Sequence, residues 1–253
     1  MIAYLGAMYM FILMPVIVLV VFSFQSSSVP APPFDGPSLK WYKAALSDRQ
    51  LTAALANSII VGVVSAAVAL ALGLLAAYGM SRYRLRGSRL LQWFLVAPLM
   101  VSYLIIGLGL LIMMNALSLP KSLLTIIIGH VVINLPLCFA ILYSQMGDHQ
   151  SRYERAARDL GASEWKILIF VTVPVLAPAL AAAFILSFTL SWDEFIIALL
   201  VSRFEVTLPV EIWSLLRSGL NPKTNAIGSF VFLVSISLVL VIEILLFRSR
   251  RPR

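Results

Sequence analysis

Residues Asp148–Lys166 read DHQSRYERAARDLGASEWK, a dense mixed-charge island set between two long apolar runs. Ser151 followed by Glu154 has the spacing of a capping box, which predicts a helix start here. Tyr153, Ala156, Ala157 and Leu160 then fall at i, i+3, i+4 and i+7, one apolar stripe on a helix surface. Glu154 precedes Arg158 by four residues, the favourable order for a surface ion pair. Gly161 stands where a left-handed residue would close the helix, and Ser163 where a hydroxyl could cap the next one. The island reads as a short amphipathic helix between two membrane spans, with a small-residue face shaped for docking.

The surrounding composition explains why the flanking runs read as spans. Of 253 residues, 61% are hydrophobic and only 12% charged. In water such a chain would expose large apolar patches, so a bilayer is the better solvent. The single cysteine, Cys138, excludes an internal disulfide framework and suits a small buried hydrophobe.

A helix needs about 20 apolar residues to cross the hydrocarbon core. The charge-poor intervals supply six: 3–24, 49–82, 89–121, 123–146, 167–200 and 225–247. The first lacks a basic leader and a clear small-residue cleavage site, so it reads as a retained span. Arg82, Arg84, Arg86, Arg89, Arg152, Arg155, Arg158, Lys166, Arg248, Arg250, Arg251 and Arg253 fall on one side of these spans. Lys40, Lys43, Arg49, Lys121, Arg203, Arg217 and Lys223 fall on the other. The excess predicts that both termini and the island are cytoplasmic. The same placement accounts for the net charge of +8 without nucleic acid, because the basic residues flank spans and lack interleaved stacking aromatics.

On the outer side, Pro30, Pro32, Pro33, Gly36 and Pro37 predict an extended segment. Leu39, Trp41, Tyr42, Ala45 and Leu46 then predict a short interfacial helix. A later outer segment carries Trp213 and ends at Asn221-Pro222; both segments read as interfacial anchors in contact with lipid, or as a surface for an external partner. The fold expected is all-α: a polytopic membrane protein of six transmembrane helices forming one permease-like domain over 1–253. Its core covers 50–247, and its cytoplasmic loop covers 147–168.

The island and the residues after it, through Pro174, resemble the EAA loop of ABC-importer permeases: EAA, three residues, Gly, nine residues, Ile-x-Leu-Pro. Ala156 and Ala157 match the alanines, Gly161 the glycine and Pro174 the proline, while Val171 and Val173 replace Ile and Leu. The first position holds Arg155, with Glu154 one place earlier. Phe22-Ser23-Phe24, Asn57-Ser58, Ser191-Trp192-Asp193-Glu194-Phe195, Thr207–Trp213 and Asn225-Ala226-Ile227 are similar to the spermidine/putrescine-type subgroup, its C-type permeases in particular. Relatives in that group also carry opines and other small amino compounds.

The resemblance implies the type I importer permease fold in a bacterial inner membrane and several partners. These are a sister permease, two ATPase subunits and a periplasmic or extracellular binding protein. ATP and Mg²⁺ would belong to the ATPases, leaving this chain without a cofactor. It also implies a coupling helix at Ser151–Leu160, with Tyr153, Glu154, Arg155, Ala156, Ala157, Asp159, Leu160, Gly161 and Pro174 as the coupling set.

No catalytic set is apparent in the sequence, and it has no Gly-rich phosphate loop ending in Lys-Ser/Thr. His130 and His149 lack the clustered Cys or acids of a metal site. His130 and Asn134 share a helix face, which suits an interhelical hydrogen bond beside Pro136 or a cargo contact. Trp192, Asp193, Glu194 and Phe195 supply the carboxylates and aromatics that a cationic amine would need. The same acids could instead be solvated or paired, with Arg203 as one partner. Glu243, near Arg248, reads as an interfacial anchor. An ion-gradient-driven secondary transporter is the competing class; it calls for inverted repeats and midplane ionisable groups. A membrane enzyme would need a grouped nucleophile, base and orienter.

Overall fold

The computed structural model describes residues 2–28, 32–83, 86–219 and 222–249, except for the side chains of 2, 3, 148, 149 and 242–249. The expectations for Pro30, Arg84, Asn221, Arg250, Arg251 and Arg253 lie outside the described residues, as do those for the side chains of His149, Glu243 and Arg248. In chain order the α-helices are α1 (Ile2–Ser23), α2 (Lys40–Ser47), α3 (Arg49–Arg82), α4 (Ser88–Val96), α5 (Tyr103–Ala116), α6 (Leu123–Gln145), α7 (Asp148–Asp159), α8 (Glu164–Ile167), α9 (Val173–Val175), α10 (Ala177–Asp193), α11 (Ile196–Val201), α12 (Leu208–Ser218) and α13 (Pro222–Ser249). A 3₁₀ turn, Ala97–Met100, comes after α4, and a π-helical turn, Leu168–Thr172, joins α8 to α9.

Among the described residues four helices are long and apolar enough to cross a membrane: Tyr4–Ser23, Arg49–Arg82, Leu123–Gln145 and Pro222–Val241. The third and fifth expected spans are not single straight helices. Ser88–Met100 meets Tyr103–Ala116 at 107°, and Glu164–Val175 meets Ala177–Asp193 at 77°; counting each bent pair as one span gives up to six. Prolines mark both bends. Pro98 lies in the 3₁₀ turn and the backbone is extended at Val101. Pro178, in the first turn of α10, has no N–H to offer and its ring disfavours a continuous helix past the preceding turn. The fifth interval breaks again at Glu194, which is extended, so α10 and α11 are separate helices.

The chain forms two compact units, Met1–Asn57 with Val206–Ser237 and Ser58–Glu205 with Leu238–Arg253. In the first unit Gln25 is fully buried and organises the segment after α1. Its amide nitrogen donates to the Pro33 carbonyl (3.0 Å), its Oε1 accepts from the Asp35 N–H (3.2 Å), and its own carbonyl accepts from Trp41 Nε1 (2.8 Å). The interfacial helix expected near Trp41 and Tyr42 is α2, and Trp213 lies on α12. Asp48 accepts from the N–H groups of Gln50 (2.9 Å) and Leu51 (3.3 Å) at the start of α3 and pairs with Lys223. The hydrogen bond from Lys223 holds the Asp48 carboxyl below its usual pKa.

In the second unit α6 packs against α4, α5, α10 and α11. Ala77, Phe139 and Leu142 form one buried cluster, and Ala69, Cys138 and Ala183 another. A Cβ built on Gly73 would stand 2.8 Å from Cys138 Cβ and 3.0 Å from the Phe139 nitrogen, so glycine here permits close approach of α3 and α6.

Candidate functional site

The island folds as α7, Asp148–Asp159, and then α8. Its start differs from the expected capping box: Gly147 is the N-cap, and Ser151 lies inside the helix, where its hydroxyl accepts from Arg155 Nη2 (2.9 Å). The competing force is tertiary. Glu154, only 1% exposed, turns inward, taking Arg82 as an ion-pair partner and the Thr172 hydroxyl as a donor at 2.8 Å. Arg82 Nη2 also reaches the other carboxylate oxygen at 3.2 Å. A buried carboxylate needs such partners, and that requirement outweighs a surface cap or an i,i+4 pair.

The expected Glu154–Arg158 pair is accordingly replaced. Arg158 forks onto Glu164 (2.8 and 3.1 Å), whose Oε2 also accepts from the Tyr78 hydroxyl at 3.0 Å. Accepting these hydrogen bonds, Glu164 holds the Arg158 pKa above its usual value.

The end of α7 agrees with the sequence expectation. Gly161 is left-handed (φ 82°). Its N–H donates to the Arg158 carbonyl (2.9 Å), and the Ala162 N–H to the Ala157 carbonyl (3.0 Å), the two bonds of a Schellman close. Ser163 occupies the N-cap of α8, but its hydroxyl makes no capping bond. Most of the apolar stripe is open to solvent among the described residues. Tyr153 is 59% exposed and Leu160 89%, Ala156 is exposed, and Ala157 is half-buried. Arg155 and Asp159 are exposed beside it, and Trp165 of α8 is 67% exposed. Pro174 sits in α9, two residues past Thr172 and before the bend at Leu176. From sequence, Arg82 is legible only as a topogenic charge and Thr172 only as a spacer within the motif. Their signal is weak because they lie 72 and 18 residues from Glu154.

The second candidate group divides. Glu194 and His130 are buried together: His130 Nε2 lies 3.2 Å from Glu194 Oε2, outside hydrogen-bond geometry, while Nδ1 meets Ser191 Oγ at 2.6 Å. Ser191 in turn meets Ser65 of α3 at 3.2 Å. The Glu194 carboxylate also accepts from the N–H groups of Ile197 (2.8 Å) and Ala198 (3.1 Å), capping α11. Its partner is thus His130, not Arg203, whose guanidinium lies over the Phe204 ring at 4.9 Å. Asp193 is exposed, Phe195 is half-buried, and Trp192 is buried with its ring 6.0 Å from Phe188. Trp192 Nε1 and both amide atoms of Asn134 are buried without a hydrogen-bond partner among the described residues.

Residues 69–251 match the family described as "Binding-protein-dependent transport system inner membrane component". The chain is 30% identical over 244 residues to the spermidine/putrescine transport system permease protein PotC of Escherichia coli (strain K12), covering 96% of this chain and 92% of that protein. It is 33% identical over 229 residues to the putrescine transport system permease protein PotI of the same strain, covering 87% and 81%. Among solved structures it is similar in fold to a bacterial ABC transporter that imports the acidic polysaccharide alginate. The TM-score is 0.71, the identity 21%, and the coverage 98% of this chain and 94% of that one. An all-helical chain with several apolar spans, a polar helix presented between two of them and a family match beginning inside α3 is a multi-pass membrane protein, and it belongs to the inner-membrane permeases of binding-protein-dependent ABC importers.

Proposed function

We propose that this chain is the non-catalytic, six-span half of an import channel, with both termini cytoplasmic. The two compact units would act as one permease domain, and α7 would be the helix that seats in a partner ATPase. The carrying observation is the exposed stripe of Tyr153, Ala156 and Leu160 on a helix that anchors itself through buried Glu154. An apolar face next to Arg152 and Arg155 gains by burial against a groove, at roughly 25 cal/mol per Å² of apolar surface removed from water. The partners would be two such ATPases, which bind the ATP and Mg²⁺, a sister permease, and an external binding protein that delivers cargo.

The cargo proposed is a polyamine of the putrescine or spermidine kind, or a related small amine. The names of PotC and PotI support this reading, since two relatives matched over most of the chain are polyamine permeases. The exposed Asp193 and half-buried Phe195 are its proposed contacts, whereas Glu194, His130, Asn134 and Trp192 would shape the interior behind them.

The test is capture of ATPase subunits on affinity-tagged chain. Leu160→Asp and Tyr153→Asp should abolish capture while the chain still inserts in the membrane; undiminished capture would remove the docking reading. Gly161→Val, which forces a β-branched residue into a left-handed site, should abolish uptake of labelled putrescine without loss of insertion.

A further inference from the structure

Arg82 and Thr172 hold the one fully buried carboxylate of α7 among the described residues, and they come from two different parts of the second unit. Arg82 is the last residue of α3, and its side chain is only 12% exposed. Thr172 closes the π-helical turn Leu168–Thr172, directly before α9 and the 77° elbow that leads into α10. Glu154 is 1% exposed, so its charge is compensated chiefly through these two side chains. A second bridge runs parallel to the first, from Tyr78 one turn earlier on α3 to Glu164, which also takes Arg158 of α7.

The geometry points to Arg82 and Thr172 as positioning residues that carry any displacement of α7 into α3 and into the elbow before α10. This inference rests on α7 being the ATPase-docking helix. Covalent continuity already ties α7 to α6 through Met146–Gly147, and to α8 through Leu160–Ser163. Neither linker reaches α3. Without the Arg82–Glu154 pair, a push on α7 could be absorbed at those two turns, with only the Arg158–Glu164–Tyr78 bridge, solvent-exposed at Arg158 and Glu164, left to draw α3 along. With the pair, moving α7 alone would strip Glu154 of partners inside a poorly solvated site, so α3 moves with it. The π-helical turn supports the same conclusion, since such turns place extra backbone where an element must bend. The exposed Arg158–Glu164 bridge is about 44% and 43% open to solvent and serves as the weaker of the two connections.

The experiment uses the full chain in complex with its ATPase and two reporter positions. One nitroxide replaces exposed Arg152 on α7; the other replaces Gly79 on α3, where an added Cβ meets nothing within 4 Å. In otherwise wild-type chain, exchanging ADP for ATP should change the spectrum at both positions. In Arg82→Ala and in Glu154→Gln, the α7 response should persist and most of the α3 response should be lost. The double variant should be no worse than either single one, because both remove one interaction. Arg82→Lys should recover part of the α3 response, and Thr172→Val, close to isosteric, provides the reading if Arg82→Ala fails to accumulate. An α3 response unchanged in Glu154→Gln and Thr172→Val, and in Arg82→Ala where it accumulates, would overturn the inference and leave ATPase docking intact. Silence at both positions in the unsubstituted background, with no ATPase captured, would instead overturn the docking reading itself.

Discussion

Glu154 is a buried anion with an arginine and a threonine for partners. Removing one member of a buried pair leaves the other uncompensated, at about 3–5 kcal/mol, and the slight exposure of Arg82 favours the lower end. Glu154→Gln should therefore lower stability by about 3 kcal/mol. The measurement is denaturant unfolding in mixed micelles, monitored by thiol labelling of Cys138, which is fully buried when folded. Gly73→Val should cost about 1–3 kcal/mol in the same assay, because its side chain must displace the Cys138–Phe139 backbone rather than a flexible tip.

Asp48 gives the pH dependence. Its carboxyl is held low in the folded chain, first by the hydrogen bond from Lys223, so its contribution is fully present above the ordinary aspartate range, about pH 3.9. That contribution fades as pH falls through the lower folded value. The stability gap between wild type and Asp48→Asn should be widest near neutrality and shrink on acidification below pH 4 or so. A gap that grew with acid would contradict the pairing.

Helix ends and bends show which local signals survive folding. The close of α7 is legible because it depends on backbone conformation alone: a left-handed residue after Leu160 is inexpensive only for glycine. Its start is not, since Ser151 and Glu154 have the spacing of a cap but Glu154 is claimed by α3 and the π-helical turn. Gly161→Ala should weaken the closure by about 1 kcal/mol and reduce, without abolishing, uptake of labelled putrescine. The bent third and fifth spans carry their signals openly in Pro98 and Pro178. Yet Pro136 lies within the unbroken α6, so proline alone does not separate a bend from a tolerated interior site.

Several apolar spans, a family match over residues 69–251 and a fold shared with an alginate importer describe a chain that forms a membrane pathway. On the proposed reading, with ATP hydrolysed in partner subunits and a polyamine as cargo, uptake of labelled putrescine in cells should require intact ATPase and binding-protein partners. It should also survive a protonophore while cellular ATP is maintained. Loss of uptake on dissipating the gradient, at constant ATP, would favour the ion-driven class instead. That buried His130 and Glu194 lie together shows that an ionisable pair inside such a helical unit can serve packing and capping.

The sequence by itself determined the membrane class, the four apolar intervals that fold as single long helices, the polar helix between two apolar runs and its glycine close, because hydrophobic run length and backbone conformation are local properties. Only the tertiary structure decided where the charges went. Glu154 to Arg82 and Glu194 to His130 are choices made by burial, which penalises an unpaired charge far more than any helix-surface spacing rewards it, and the exposed Arg158, left without Glu154, takes Glu164 instead.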